Sequence, residues 1–247
     1  MNKKLRSVFA VFTALVMVLS FTACGKTDSD NKSGETGKKT ESKADEAKKV
    51  ADEFLKDISK FKFKDAAELM DEDGDVEDLS DVNGVDDLVK LGLEEANSAA
   101  GNLSQYGLAD DFLEKAVRKA FGFYSIDYEI TDAKEKDDKT VEVDFKIAAE
   151  KPDMKVLENP AEKYASEMQQ YAESLAGSLS ASPTEEEKAK LTGKVIEHVY
   201  DLAFDDIEKN LIKDDIKGTF VLEEKDGKWI IIADDSDLDD IANWFEE

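Results

Sequence analysis

Hydrophobic and polar positions alternate along this chain with two different periods. From Ala44 to Ile58 the apolar residues Ala47, Val50, Ala51, Phe54, Leu55 and Ile58 recur at three- and four-residue spacing, which predicts an amphipathic helix. A short second helix is predicted over 64–70, and two more over 85–99 and 111–121. Asp111 is the expected N-cap of the last of these, with Glu114 three residues on. The period then drops to two. Tyr124, Ile126, Tyr128 and Ile130 alternate with polar residues, and so do Val141, Val143, Phe145, Ile147 and Ala149. This predicts an antiparallel hairpin with one buried face.

Helical spacing returns after Asn159-Pro160, with proline at the first helical position. Tyr164, Met168, Tyr171, Leu175 and Leu179 form the stripe of one long helix. Pro183-Thr184 opens a second, where Thr184 and Glu187 have capping-box spacing. Its inner face is expected at Leu191, Val195, Ile196, Val199, Leu202, Ala203 and Ile207. The short link between the two predicts an antiparallel helical hairpin. A closing β-hairpin follows. Ile216, Gly218, Phe220 and Leu222 form the inner face of one strand, and Asp226-Gly227 forms the turn. The return strand Trp229–Ala233 is apolar on both faces, which predicts a central position in the sheet. Leu238, Ile241, Ala242 and Phe245 predict a final short helix. The fold class expected is α+β, with one curved antiparallel four-stranded sheet packed on helices.

The N-terminus follows neither period. Lys3, Lys4 and Arg6 precede an almost wholly apolar stretch over 7–20, which ends in Phe21-Thr22-Ala23-Cys24-Gly25. A basic start, a short apolar core and small residues before a cut are the features of a secretory signal peptide. The apolar run is shorter than the roughly 20 residues of a membrane span. Cys24 is the only cysteine. The stretch resembles a bacterial lipoprotein signal with its lipobox, although Phe21 stands where leucine is usual. The resemblance implies cleavage before Cys24 and a diacylglyceryl (palmitate-type) membrane anchor on its sulfur. Acyl chains in pairs anchor stably where one is marginal.

Charge sharpens the picture. The formal net charge is −26 over 247 residues, and removing a signal of 1–23 takes away three bases and no acid. The segment 25–43 has no apolar residue and holds five lysines against four acids, so it reads as a tether. Its mean reach is on the order of 25 Å. The domain organisation expected is therefore a signal peptide over 1–23, the lipidated cysteine and tether over 24–43, and one α+β domain over 44–247. A strongly acidic surface disfavours nucleic acid as a partner. A hydrophobic fraction of 41% supplies a core, and with one cysteine that core has no disulfide to help it.

Three parts of the folded region resemble a known group. They are the helix Ala44–Ile58 with its Phe54-Leu55, the strand pair over 124–149, and the closing Asp226-Gly227-Lys228-Trp229-Ile230-Ile231. Together they resemble exported lipoproteins of Gram-positive bacteria, of unknown function, with a cystatin-like cone domain. Nuclear transport factor two and ketosteroid isomerase share that fold. Ile230 departs from the lysine common at its position in the group. The resemblance implies a cone of helices on a concave sheet, with the helical hairpin over 159–211 as an insertion.

No catalytic motif emerges. His198 is the only histidine, so a zinc site lacks ligands. No Gly-x-Ser-x-Gly elbow accompanies it. The segment Asp71–Asp87 holds nine acids and no base, which raises calcium. Its Gly74, however, stands fourth in the loop where an EF-hand needs the glycine sixth. Asp234–Asp240 is a second acidic run, suited to capping the last helix. Tyr124, Asp127 and Tyr128 have the residue types of a ketosteroid-isomerase-like site, but alternation puts Asp127 on the opposite face from the tyrosines. The expectation is a non-enzymatic, lipid-anchored surface lipoprotein on the outer face of the cytoplasmic membrane. It would bind a small ligand, peptide or envelope protein, with no cofactor, no metal and no catalytic residue. The alternatives are a cone enzyme using carboxylate acid/base chemistry and a calcium-binding envelope protein.

Overall fold

The computed structural model describes residues 42–71, 82–100, 108, 111–177 and 183–246. The expected signal, Cys24 and the expected tether up to residue 41 lie outside them, as do 72–81 of the acidic segment and Leu179. Helix α1 spans Lys43–Ser59, so it starts one residue before the expected tether boundary. Ser42 and Asp45 fix that start with a reciprocal capping box. Helix α2 spans Phe63–Ala67, shorter than expected, and α3 (Val85–Ala100) and α4 (Phe112–Phe121) follow. Asp111 is not the cap its position suggested. Its backbone is not extended, and its side chain makes no capping bond. Its carboxylate instead pairs with Lys115 at 2.6 Å, one turn along.

Strands β1 (Ser125–Glu135), β2 (Thr140–Pro152), β3 (Leu211–Lys225) and β4 (Lys228–Ile231) form one antiparallel sheet in the order β1-β2-β3-β4. A bulge between Ile130 and Asp132 resets the alternation of β1. The inner face carries Val141, Val143, Phe145 and Ile147 from β2 and Phe220 and Leu222 from β3, all buried. Helix α1 packs on it, with Phe54 edge-on to Phe220 at 5.3 Å. Phe145 stacks on Phe220 at 4.2 Å, and Gly218, its cross-strand partner, leaves room for the ring.

The return strand is at the sheet edge, not its centre. Its outer side is taken by the segment after α2. Asp71 N–H donates to the Ile231 carbonyl, and Ile231 N–H donates to the Leu69 carbonyl. Helix α1 also reaches it, through Trp229 Nε1 donating to Glu46 at 3.4 Å. A strand covered on its rim as well as its faces is apolar throughout, wherever it sits in the sheet order.

The helix after Pro160 is broken. Helix α5 (Pro160–Lys163) ends at Tyr164, where the backbone leaves the helical region, and α6 runs Ala165–Ala176. Helix α7 spans Glu185–Lys209 and opens on the predicted Thr184/Glu187 capping box. Its inner face is wider than the predicted stripe, because Tyr200 and Phe204 are also fully buried. The final helix, α8, spans Asp239–Glu246.

Candidate functional site

An interior ligand space would need a gap between the helices and the sheet. Here aromatic side chains take that volume. The Phe54–Phe220–Phe145 contacts fill the centre, and Phe112 meets Tyr200 edge-on at 5.2 Å on the α4–α7 side. Two concavities among the described residues lie outside it. One of about 310 Å³ is on the polar side of the sheet, beside Asp144, Lys146, Lys217 and Thr219. Another, of about 580 Å³, is at the β1–β2 turn, between Asp137–Thr140 and Glu223–Lys225. Both are open; the first mixes charged residues with Thr131, Phe145, Gly218 and Thr219, and the second is lined largely by charged side chains.

The acids named from the sequence hold backbone or basic groups in place. Asp71 accepts from Ala233 N–H at 3.2 Å, Asp87 from Asn83 N–H at 2.9 Å, and Asp86 pairs with Arg118 at 2.6 Å. In the second acidic run, Asp237 accepts from Thr219 N–H at 2.8 Å. Asp239 and Asp240 lie in the first turn of α8, where negative charge suits the helix dipole. No group of three or more metal-ligating side chains gathers among the described residues. No helix among them is long and apolar enough to cross a membrane.

Tyr164 and Tyr200 are buried, and Tyr124, Tyr128, Tyr171 and His198 are half-buried. Asp127 is exposed while Tyr128 is half-buried, so the two stand on opposite faces of β1. Burial pushes the Tyr124 hydroxyl up to about 12, which keeps it protonated at neutral pH. His198, half-buried on α7, stacks on Tyr171 of α6 at 4.1 Å. This contact holds the helical hairpin together at one level. At another, Tyr164 O–H donates to Asp206 at 2.8 Å, and Lys163 reaches the same carboxylate oxygen at 2.8 Å. The Lys163 ammonium, then the Tyr164 hydroxyl, hold the Asp206 carboxyl below its ordinary range. Burial, then the Asp206 bond, raises Tyr164. A protonated phenol on an ionised carboxylate makes a clasp, with neither group poised to take a proton at neutral pH.

One cluster has no counterpart in the sequence reading. Lys151 is buried near the end of β2. Its Nζ donates to the Trp244 carbonyl of α8 at 3.0 Å and lies 5.7 Å from that indole ring. Trp244 and Phe245 pack on Phe61, Phe63 and Tyr124. The hints in the sequence are the alternation from Val141, which carries residue 151 to the inner face, and the apolar Ile241/Trp244/Phe245 spacing of the last helix. Comparison of the chain with protein-family models, curated proteins and solved structures finds no match.

Proposed function

We propose that this chain is a non-enzymatic lipoprotein, anchored through Cys24 to the outer face of the cytoplasmic membrane. In this reading it presents one acidic domain, of the cystatin-like cone type with an inserted helical hairpin, to other envelope proteins. The observation that carries the binding part is the filled interior. A domain whose helix–sheet space is occupied by Phe54, Phe145 and Phe220 recognises partners with its outside. The anchor rests on the basic, apolar and small-residue order before Cys24.

Two measurements test it. Cells grown with labelled palmitate should mark the wild-type protein and not Cys24→Ala, and the variant should leave the membrane fraction. Equal fractionation of the two overturns the anchor. Crosslinking on intact cells should trap the full chain with an envelope protein. Turnover of a small substrate by the purified protein, abolished by one carboxylate substitution, would overturn the non-enzymatic assignment.

A further inference from the structure

Three departures from ordinary packing meet beneath α8. The first is Phe61, whose φ of 58° is left-handed, a conformation bulky residues seldom adopt. That backbone aims its ring at Phe63, Tyr124 and Phe245, at 6.2, 6.4 and 6.3 Å. The second is Lys151, the one buried charged side chain among the described residues. Its ammonium has three protons to donate. A backbone carbonyl of α8 takes one, and no described carboxylate forms an ion pair with it. The third is Trp244 Nε1, buried with no hydrogen-bond partner among the described residues. Breaches of local rules that cluster in one place mark function more often than chance does. A buried N–H without an acceptor penalises the state that buries it.

These groups define a groove and its present occupant. Phe61, Phe63 and Tyr124 form the aromatic floor, and Lys151 stands at one wall. Ile241, Trp244 and Phe245 of α8 enter at i, i+3 and i+4, the spacing with which a helix fills a groove. The helix is the last element described, and its tether is well defined. Asp237 is bonded to Thr219 in both directions, and Ser236 Oγ accepts from Val221 N–H. The chain is therefore pinned to β3 through residue 237, and an opening of α8 would begin at Leu238, which itself packs on the core. Lifting α8 disturbs no sheet pairing.

We propose that the groove beneath α8 is a protein-docking site, and that α8 occupies it as a built-in placeholder. The partner is a helix with an aliphatic anchor at i, aromatic anchors at i+3 and i+4, and a carboxylate placed to meet Lys151. Its chemistry follows from α8 itself, which supplies the anchors, and from the Lys151 ammonium, which α8 meets with the Trp244 carbonyl and ring and, among the described residues, with no carboxylate. The inference rests on the reading of the chain as an interaction module, and names the surface.

The test uses the full chain. In hydrogen exchange on the wild type, α8 amides should exchange at least roughly 100-fold faster than those of β2 and β3, as a unit that opens on its own does. A fluorescent peptide with the sequence of residues 238–247 should bind Ile241→Ala/Phe245→Ala, whose own strap is weakened, at least about tenfold more tightly than wild type. Scanning a single glutamate through this peptide should find one position that raises its affinity for that variant, an advantage that Lys151→Met removes; the absence of such a position overturns the carboxylate assignment. The proposal is overturned if α8 exchanges only with the whole domain, which the wild type alone decides even where a variant fails to fold. Equal peptide affinity for wild type and the weakened variant overturns it too. A dimer that trades α8 between copies overturns the assignment to a separate partner. If envelope crosslinking persists unchanged in Phe245→Ala, this groove is excluded while the interaction reading stands.

Discussion

Gly218→Ala is a single-methyl change whose cost can be worked from the neighbours of one atom. A Cβ at 218 would lie 2.7 Å from Asp237 Cβ and 2.8 Å from Phe145 Cζ. Carbon atoms rest about 3.5–4.0 Å apart. Neither neighbour is free to withdraw. Asp237 donates its N–H to the Thr219 carbonyl at 3.0 Å and accepts from Thr219 N–H at 2.8 Å. Moving it opens the rim of β3 and strains two hydrogen bonds, each worth about 1 kcal/mol. Phe145 is stacked on Phe220, so turning its ring disturbs the centre of the core. Overpacking of this kind costs about 1–3 kcal/mol. With partial loss of the Asp237 bonds the total comes to about 2–4 kcal/mol. For a domain of this size that is a fall in Tm of roughly 5–15 °C. Urea unfolding followed by circular dichroism and by tryptophan fluorescence reads it directly. Gly177→Ala is the control. Its backbone φ of −62° suits alanine, and among the described residues nothing lies within 4 Å of the new methyl. It should be neutral or stabilise by a few tenths of a kcal/mol. A Gly218→Ala midpoint within about 1 kcal/mol of wild type would refute the packing argument.

Phe220→Ala removes a fully buried ring that touches both Phe54 and Phe145, and should cost about 3–5 kcal/mol in the same urea assay. Thr184→Ala deletes a side chain that accepts from Glu187 N–H at 3.2 Å, and should cost about 1 kcal/mol. Asp111→Ala, where no capping bond exists, should cost under half of that; equal losses would restore Asp111 as a cap. Stability should also fall at high pH through the tyrosines. The folded Tyr124 hydroxyl titrates near 12, against about 10 in the unfolded chain, so its contribution is whole below pH 10 and is lost as the pH rises toward 12. Tyr124→Phe should flatten the fall of the urea midpoint across that window, while Tyr200 and Tyr164, also raised by burial, keep part of it. An unchanged slope would place the loss elsewhere.

What the sequence made legible follows the strength of local signals, and its misses share one cause. The Thr184/Glu187 box and the Asp226-Gly227 turn are settled within four residues of chain, and both stand where the pattern put them. Tyr200 and Phe204 escaped the predicted stripe of α7 because a stripe is drawn for a helix with one neighbour. Helix α7 has more than one. Phe112 of α4 meets Tyr200, and Phe123 lies against Phe204 at 5.8 Å, so a wider arc is buried than one face supplies. The apolar run Trp229–Ala233 predicts a central strand because apolarity reports coverage and is silent about what does the covering; the segment around Met70 does it here.

Lys151 is the sharpest case, because two rules disagree about it. Alternation from Val141 through Ala149 carries 151 to the inner face, whereas a lysine conventionally marks the end of a strand and the start of solvent. Register prevailed. β2 continues to Pro152 because Lys151 pairs with Ile212 and Pro152 with Leu211. Once the backbone is held there, the side chain must point inward, and its ammonium finds the carbonyl of Trp244 from a helix 93 residues away in sequence. No window of local sequence contains both partners. The same separation explains the Trp244 indole, whose lack of an acceptor among the described residues becomes apparent only after α8 is docked. A short-range reading thus recovers the elements and loses the joints between them. In this chain the joint at α8 is where the unusual chemistry is concentrated.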